Sequence, residues 1–285
     1  MRLLVTGGAG RLGACLIRMI SERGHSAIAF DLPNAQIDKL EGTPRVEIFK
    51  GDVTRPADVA EACRGADGVF HLAAVLPPRS EEDSELTKRV NVEGTRNLLE
   101  ALRERSIPII FASSVAVYGV TALEEPPVRE DHPVVGTDNY SRSKIEAERL
   151  IEASGIPYTI LRISPIAVAD IVEPPEVIPF RSDQRVEFIY LEDAARALLS
   201  ALERPEARWR IFNIAGGGSW QVTGGEYMRS LYASLGVEAE LKFSSEYTAL
   251  DWYDTRVGSF LDYQRTPLKN FLEILTKLGE EAGLR

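Results

Sequence analysis

The pattern that decides the predicted fold lies in the first thirteen residues of the chain, Met1-Arg-Leu-Leu-Val-Thr-Gly-Gly-Ala-Gly-Arg-Leu-Gly13. Its apolar run Leu3–Val5 predicts a buried strand, its four glycines predict a tight turn, and the following residues 12–20 have helical periodicity. Glycine lets the backbone approach a pyrophosphate closely, and the first N–H groups of the helix then face the phosphates. Strand, glycine turn and helix in this order therefore indicate a dinucleotide-binding start.

The glycines allow two registers. Gly8, Gly10 and Gly13 fit G-x-G-x-x-G, whereas Gly7, Gly10 and Gly13 fit G-x-x-G-x-x-G. Asp31 ends a second predicted strand 18 residues after Gly13, close to the spacing of a carboxylate that binds the adenosine ribose. A helix cap or loop acid is the alternative for Asp31, but the combined pattern favours the nucleotide site. A carboxylate there would repel a 2′-phosphate, so we expect NAD rather than NADP.

Bulk composition limits the function classes. With 285 residues, 44% of them hydrophobic and 27% charged, the chain fits one large α/β domain or a domain with a small lobe. A net charge of -10 without a basic run makes nucleic acid a poor partner. No apolar stretch reaches membrane-spanning length, and a strand starting at residue 2 leaves no room for a signal peptide, so we expect a cytoplasmic enzyme. Cys15 and Cys63 are expected to be buried, reduced thiols.

Strand-like and helix-like segments alternate along the chain, which predicts an α/β fold with a Rossmann-like, doubly wound parallel sheet of about seven strands. The predicted strands are Leu3–Thr6, Ser26–Asp31, Val46–Phe49, Gly68–Leu72, Ile107–Ser113, Tyr158–Ile163 and Arg210–Ile214. The predicted helices are Leu12–Arg23, Ala57–Ala62, Leu86–Arg105, Ser141–Ala153 and Leu191–Leu202. We expect residues 1–164, with 186–215 returning to the sheet, to bind NAD, and residues 165–185 and 216–285 to form a small substrate lobe.

Two predicted strand ends carry polar side chains. Asp52 follows the third strand and either accepts from the adenine amino group or caps the helix that starts at Pro56. His71-Leu-Ala-Ala74 ends the fourth strand, where small residues allow a cofactor to lie across the sheet. We expect His71 to be structural, and because no second His or Cys stands at ligand spacing, we predict no metal site.

The chemistry is expected from Ser114, Tyr140 and Lys144. Tyr140 and Lys144 are four residues apart, so on a helix they share a face. An ammonium beside a phenol lowers the phenol pKa from about 10, which would make Tyr140 an acid/base near neutral pH. Ser114 would hydrogen-bond the same substrate oxygen. A solvated helix face is the alternative for the Tyr–Lys pair, but the order glycine turn, Ser-Ser, Tyr, Lys is specific.

The sequence resembles the extended short-chain dehydrogenase/reductase family, the NAD-dependent epimerases and dehydratases, over nearly the whole chain. The matching motifs are Thr6–Gly13, Gly51-Asp52, His71–Ala74, Asn91–Thr95, Ser113–Gly119, Asn139–Lys144, Arg185–Asp193 and Phe212–Gly218. The resemblance implies catalytic roles for Ser114, Tyr140 and Lys144. Cofactor contacts are expected from Gly7, Gly10, Arg11, Leu12, Gly13, Asp31, Asp52, Val53, Leu72, Ala73, Ala74, Ser113, Tyr140 and Lys144. It also implies a homodimer through the helices Asn91–Arg105 and Ser141–Ala153.

Two departures concern the substrate. Pro165 stands where many sugar-nucleotide members have a substrate-binding Asn, and Pro has neither an amide side chain nor an N–H. Only 22 residues separate Arg162 from Arg185, a stretch that is usually much longer in those members. Arg185 and Arg256 are candidates for a substrate phosphate, or else surface ion-pair residues.

Three functions follow from this sequence. The first is an NAD-dependent epimerase/dehydratase-type enzyme acting at a secondary alcohol carbon of a sugar or nucleotide sugar, with NAD retained. The second is a net dehydrogenase or reductase of a smaller alcohol, aldehyde or ketone, which the short lobe favours. The third is a nucleotide-binding sensor without catalysis, against which an intact Ser114, Tyr140 and Lys144 argues.

Overall fold

A computed structural model describes residues 1–284 of the chain, and across these residues the alternating segments form one seven-stranded sheet. The strands are β1 Arg2–Thr6, β2 Ser26–Asp31, β3 Val46–Lys50, β4 Gly68–His71, β5 Ile109–Ser114, β6 Tyr158–Ile163 and β7 Arg210–Ile214. The longer helices are α1 Arg11–Glu22, α2 Pro56–Ala62, α3 Gly94–Leu102, α4 Asn139–Ala153, α5 Leu191–Glu203, α6 Gly224–Leu235 and α7 Leu268–Glu281. The predicted Rossmann-like α/β fold is confirmed.

The sheet is parallel throughout, in the order β7-β6-β5-β4-β1-β2-β3. Chain order reverses between β1 and β4, which are paired from Leu3 against Gly68 to Thr6 against His71. In an open α/β sheet a ligand crevice forms outside the carboxyl ends of strands at such a reversal. We therefore expect a ligand crevice at the residues that follow β1, β4 and β5.

Both faces of the sheet are covered by helices, so its strands are apolar on both sides. Ile110 of β5 packs toward α1 and α5 together with Leu16 and Leu198. Its neighbour Phe111 packs on the opposite face with Ile151 of α4. This alternation along β5 also sends Ser113 and Ser114 to opposite faces.

The segment predicted as one helix over Leu86–Arg105 is broken in the structure. It consists of short α-helical turns, Arg79–Glu82 and Ser84–Thr87, a π-helical stretch, Lys88–Glu93, and then α3. The wider π turn lies beside α4 and contains Asn91, whose side chain is buried. Periodicity alone cannot distinguish a π turn from an α turn within an apolar pattern.

The C-terminal part of the chain adds a second apolar core that the sequence analysis did not resolve into elements. Helices α6 and α7 pack together around Trp220, Tyr227 and Phe271. A two-stranded antiparallel pair, Val222–Thr223 with Arg185–Val186, joins this core to the chain after β6. The further short elements are strands Ile166–Ala167 and Ile189–Tyr190 and 3-10 turns Asp38–Leu40, Val115–Tyr118, Pro205–Ala207, Gly218–Trp220 and Arg256–Leu261. Within residues 1–284, no helix combines the length and apolarity needed to cross a bilayer.

Candidate active site

The glycine turn between β1 and α1 is closed in by backbone atoms. Gly7 has a φ of +70°, and a Cβ there would lie 2.9 Å from the backbone nitrogen of Ala73. At Gly13, a Cβ would lie 2.3 Å from the carbonyl oxygen of Gly7. Helix α1 begins after Gly10, and in the described chain no side chain caps it, so its first N–H groups are available to an anion. The turn has the shape expected of a pyrophosphate cradle.

Asp31 ends β2 beside this turn. Its carboxylate accepts hydrogen bonds from the N–H groups of Ala9 and Leu32, both at 2.8 Å. A cleft of about 320 Å³ opens there, lined by Ala9, Gly10, Asp31, Ala35, Gln36, Asp38 and Lys39. Asp31 thus holds the loop, as its alternative interpretation suggested, and also borders a cleft next to the glycine turn.

The end of β4 is fastened to β1 by buried polar contacts. The Thr6 hydroxyl accepts from the N–H groups of Leu72 and Ala73, each at 3.2 Å. His71 lies between two hydroxyls, with Nδ1 2.8 Å from Thr6 and Nε2 2.9 Å from Thr95. Burial lowers the pKa of His71 to about 3, so the ring is neutral and structural, as the sequence suggested.

The loop after β3 is ordered by Asp52, although not as a helix cap. The Asp52 carboxylate accepts from the Thr54 N–H at 2.8 Å, and α2 begins after Arg55 instead. The Asn97 side chain donates to the Val53 carbonyl at 3.0 Å. The helix-cap alternative for Asp52 is therefore wrong, and its contact with adenine stays a prediction.

Ser114 and Tyr140 meet at the carboxyl end of β5. The Ser114 side chain lies close enough to the Tyr140 phenol to act on its pKa, and the Ser114 hydroxyl accepts from the Ala116 N–H at 3.2 Å. Tyr140 is the second residue of α4, whose start is fixed by a reciprocal cap between Asp138 and Ser141. The structure thus brings together two of the three residues on which the predicted chemistry depends.

Lys144 lies one turn after Tyr140, buried beneath it. Its Nζ donates to the Ala112 carbonyl at 2.8 Å and lies 4.7 Å from the Phe111 ring centre and 5.8 Å from the Tyr140 ring centre. Burial lowers the pKa of Lys144 to about 8, and the nearby Glu148 carboxylate opposes that shift. The shared face expected for Tyr140 and Lys144 is present, and Lys144 is not a solvated residue.

The expected lowering of the Tyr140 pKa is wrong for this arrangement. Burial raises the pKa of Tyr140 to about 12, while the neighbouring Ser114 side chain opposes the rise. The Lys144 ammonium is directed at the Ala112 carbonyl of β5 rather than at the phenol oxygen. Spacing along the helix predicted proximity correctly, but it could not predict which acceptor the ammonium would take.

Ser113 faces away from Ser114, into a buried polar network. Its hydroxyl donates to Glu148 of α4 at 2.5 Å, and Glu148 forms an ion pair with Arg162 at 2.7 Å. Arg162 in turn donates to the Tyr118 hydroxyl at 3.0 Å, which donates to Asn213 at 2.6 Å. The Ser113 hydroxyl therefore joins β5 to α4, and the predicted cofactor contact of Ser113 stays a prediction.

Asn91 is a further site residue to which the sequence analysis gave no role, although it stood in a quoted motif. Its side chain accepts from the Val75 N–H at 2.7 Å and donates to the Ser143 hydroxyl at 2.9 Å. Ser143 donates onward to the Tyr140 carbonyl at 2.7 Å. Asn91 thereby connects the loop after β4 with the turn of α4 that carries Tyr140.

The two arginines proposed for a substrate phosphate are both paired with carboxylates. Arg185 makes a two-point contact with buried Asp251, at 2.5 and 3.0 Å. Arg256 makes a similar contact with Asp254, at 2.9 and 2.5 Å. Both contacts agree with the alternative prediction that Arg185 and Arg256 are ion-pair residues. A substrate phosphate would have to compete with Asp251 and Asp254 for these guanidinium groups.

Other predicted contacts lie around the glycine turn. Arg11, at the start of α1, pairs with Asp170 from the segment after β6 at 2.9 Å. Leu12 is half-buried against the core, and Ala74 is half-buried after β4. In residues 1–284, no group of three or more His, Cys, Asp or Glu side chains is arranged to hold a metal ion.

The sequence matches a family model and several curated proteins. A model of the NAD dependent epimerase/dehydratase family matches residues 3–169. The UDP-glucose 4-epimerase of Corynebacterium glutamicum is 31% identical over 258 residues, which cover 78% of this chain and 77% of that protein. The D-erythronate dehydrogenase of Cupriavidus necator is 36% identical over 164 residues, 53% of this chain and 49% of that protein. The chain thus spans about half the length of the first curated relatives that it matches.

Solved structures show the same fold. The crystal structure of a UDP-glucose 4-epimerase from Thermotoga maritima, determined with UDP-glucose, superimposes with a TM-score of 0.85. It covers 99% of both chains at 20% sequence identity. At that identity the likeness concerns the fold alone.

Proposed function

The chain belongs to the NAD-dependent epimerase/dehydratase family, and on that premise we propose that Ser114, Tyr140 and Lys144 catalyse hydride transfer at a secondary alcohol carbon of a sugar or nucleotide sugar. The enzyme is of the extended short-chain dehydrogenase/reductase type. The observation that carries the proposal is that Ser114, the last residue of β5, lies beside the Tyr140 phenol, with Lys144 one helical turn after Tyr140. This pair lies near the strand reversal at which a ligand crevice is expected.

The residues around β1 and β2 fit a dinucleotide. Backbone atoms at Gly7 and Gly13 leave no room for side chains, and the uncapped start of α1 suits a pyrophosphate. Asp31 and the adjoining cleft suit the adenosine ribose of NAD, while Leu72, Ala73 and Ala74 would line the path across β4. Bound NAD would supply the hydride acceptor and donor.

The proton steps belong to the chain itself. Tyr140 would take the proton of the substrate hydroxyl in oxidation and return it in reduction. Ser114, which lies beside the Tyr140 phenol, would donate to the same substrate oxygen as charge develops on it. Lys144 has three N–H donors and uses one on the Ala112 carbonyl, which leaves donors for ribose hydroxyls and for steadying a phenolate.

Substrate binding is assigned to the segments 165–185 and 216–285. Their shared apolar core includes Phe180, Trp220 and Phe271, and the short strand Arg185–Val186 pairs with Val222–Thr223. We further propose a cytoplasmic homodimer that pairs through α4 and the helical segment Lys88–Leu102.

A second candidate function is a net dehydrogenase of a smaller polyhydroxylated substrate. Three observations favour it: Pro165 replaces an amide side chain, the connection from Arg162 to Arg185 is short, and the Arg185 guanidinium is already paired with Asp251. A relative named D-erythronate dehydrogenase acts within this class. The two functions share the site and differ in whether NADH leaves.

A substrate panel with the purified protein tests the proposal. UDP-glucose, UDP-galactose and D-erythronate would be incubated with NAD, with product analysis and absorbance at the NADH band. Interconversion of the UDP-sugars without net NADH supports the epimerase. NADH formed in proportion to oxidised D-erythronate supports the dehydrogenase. Bound NAD with neither reaction across a wider panel of sugars and alcohols would contradict both.

A further inference from the structure

Glu81 contacts the tyrosine helix although no sequence motif points to it. It lies in the short helix Arg79–Glu82 after β4, and its carboxylate accepts from the N–H groups of Asn139 at 2.9 Å and Tyr140 at 3.1 Å. The Ser80 hydroxyl donates to the same carboxylate at 2.8 Å. Although loss of hydration opposes them, the hydrogen bonds from Asn139, Ser80 and Tyr140 keep the pKa of Glu81 below its ordinary value. The group is therefore ionised at neutral pH.

The first turn of α4 is consequently held by two carboxylates from different parts of the chain. Asp138 accepts from the Ser141 N–H at 2.7 Å, and Glu81 takes the two preceding N–H groups. The initial N–H groups of a helix have no partner within the helix, and negative charge is stabilising there. Asp138 is local to the helix, whereas Glu81 comes from a loop more than fifty residues earlier in the chain.

That loop is itself fixed close to the strand ends of the crevice. Asn91 clamps Val75 through both of its backbone polar groups, at 2.7 and 3.1 Å. A second tie to α4 runs from the Asn139 side chain to the Ser80 carbonyl at 3.3 Å. The residues from Val75 to Glu81 therefore form a short bridge from the end of β4 to the backbone of Tyr140.

We propose that Glu81 is a positioning residue for Tyr140, which fixes the phenol relative to the crevice by binding the N–H groups of Asn139 and Tyr140. The inference rests on the proposed function of Tyr140. A misplacement of a reacting group by a fraction of an ångström slows chemistry without weakening binding. Glu81 would therefore act on kcat more than on KM.

The test compares Glu81→Ala, Glu81→Gln and the control Glu82→Ala, a second exposed glutamate of the same short helix. Amide hydrogen exchange at Asn139 and Tyr140 is measured first, since it requires no substrate. Glu81→Ala should speed this exchange and lower kcat about tenfold, the equivalent of one charge-assisted hydrogen bond, with NAD affinity and KM unchanged. Glu81→Gln keeps one acceptor oxygen and should restore part of kcat, while Glu82→Ala should match the wild type.

The kinetic arm uses UDP-glucose or D-erythronate with NAD, according to which one the protein turns over. Unchanged amide hydrogen exchange in Glu81→Ala would overturn the proposal. Faster exchange with an unchanged kcat would also overturn it, because Glu81 would then stabilise the helix start without affecting the chemistry. Failure of the proposed function gives a different result, because Tyr140→Phe would then retain turnover whatever Glu81 does.

Discussion

Lys144 Nζ lies 5.8 Å from the ring centre of Tyr140 and donates its hydrogen bond to the Ala112 carbonyl at 2.8 Å. Ionisation of the Tyr140 phenol and protonation of the Lys144 amine are both unfavourable at these positions, because both groups are buried. Burial raises the pKa of Tyr140 to about 12 and lowers that of Lys144 to about 8. Tyr140 is ready to act as an acid at neutral pH, and its use as a base requires further positive charge or hydrogen bonding from what binds in the site.

Replacing Lys144 with methionine should stabilise the protein in the absence of cofactor while abolishing turnover. The pKa of Lys144 is lowered in the folded state, from 10.5 to about 8, so the unfolded chain binds more protons between those values. Stability therefore rises with pH across this window, and the cost of the buried charge is complete below about pH 8. Lys144→Met should raise the free energy of unfolding at pH 7 by about 1–3 kcal/mol.

Urea unfolding at pH 7 and pH 10 measures this effect, with Lys269→Met, an exposed lysine of α7, as the control. The rise between the two pH values should disappear in Lys144→Met and persist in Lys269→Met. A large destabilisation of Lys144→Met at pH 7 would show that the ammonium is well paired where it lies.

Asp31→Asn should weaken the preference for NAD over NADP by about tenfold or more. The carboxylate borders the cleft next to the glycine turn, and its charge opposes a 2′-phosphate, whereas Asn keeps an acceptor for the Ala9 N–H. Calorimetric titration with each cofactor gives the ratio directly. Asp38→Asn, on the same cleft, is the control, and an equal change in both variants would argue against a specific ribose contact by Asp31.

Glu148→Gln should lower the free energy of unfolding by about 3 kcal/mol or more, because it leaves the buried Arg162 guanidinium without its counter-charge. The exposed Glu152 on the same helix provides the matched control, and Glu152→Gln should change stability by about 0.5 kcal/mol or less. Urea denaturation monitors both. If the two variants unfold alike, the network linking β5, β6 and α4 contributes little.

Gly13→Ala should abolish NAD binding and destabilise the fold, since its Cβ would lie 2.3 Å from the Gly7 carbonyl and 2.8 Å from Gly8 Cα. The control is Gly218→Ala, where no described atom lies within 4 Å of the added Cβ and φ is not positive. Thermal shifts with and without NAD compare the two variants. A normal NAD response from Gly13→Ala would mean that α1 can move away from β1 without loss of the site.

The sequence predicted the parts of this molecule that depend on local pattern. Strands β2, β6 and β7 have the predicted bounds, because buried parallel strands are continuous apolar runs bounded by polar residues. Proximity of Tyr140 and Lys144 also followed from their four-residue spacing alone. The glycine turn was recognisable because the close approach of two backbones excludes every side chain but hydrogen.

Side-chain partners that come from distant segments of the chain could not be predicted from local sequence pattern. The Ser113 hydroxyl binds Glu148, a partner that the sequence did not indicate, since adjacent residues of a strand face opposite ways and the choice of face depends on what packs there. Glu81 reaches Tyr140 across more than fifty residues of chain, and Arg185 meets Asp251 across 66. The lobe helices α6 and α7 were likewise left unassigned within the long segment after β7.

The Tyr140 hydroxyl is the group proposed to move the substrate proton, and the turnover of Tyr140→Phe tests this most directly. The ring packing is kept and one oxygen is removed, so NAD affinity and thermal stability should stay close to wild type while kcat falls by about 10²- to 10⁴-fold. Tyr158→Phe, a half-buried tyrosine of β6, should behave like wild type. If Tyr140→Phe turned over its substrate at the wild-type rate with NAD bound, the proposed site would be wrong.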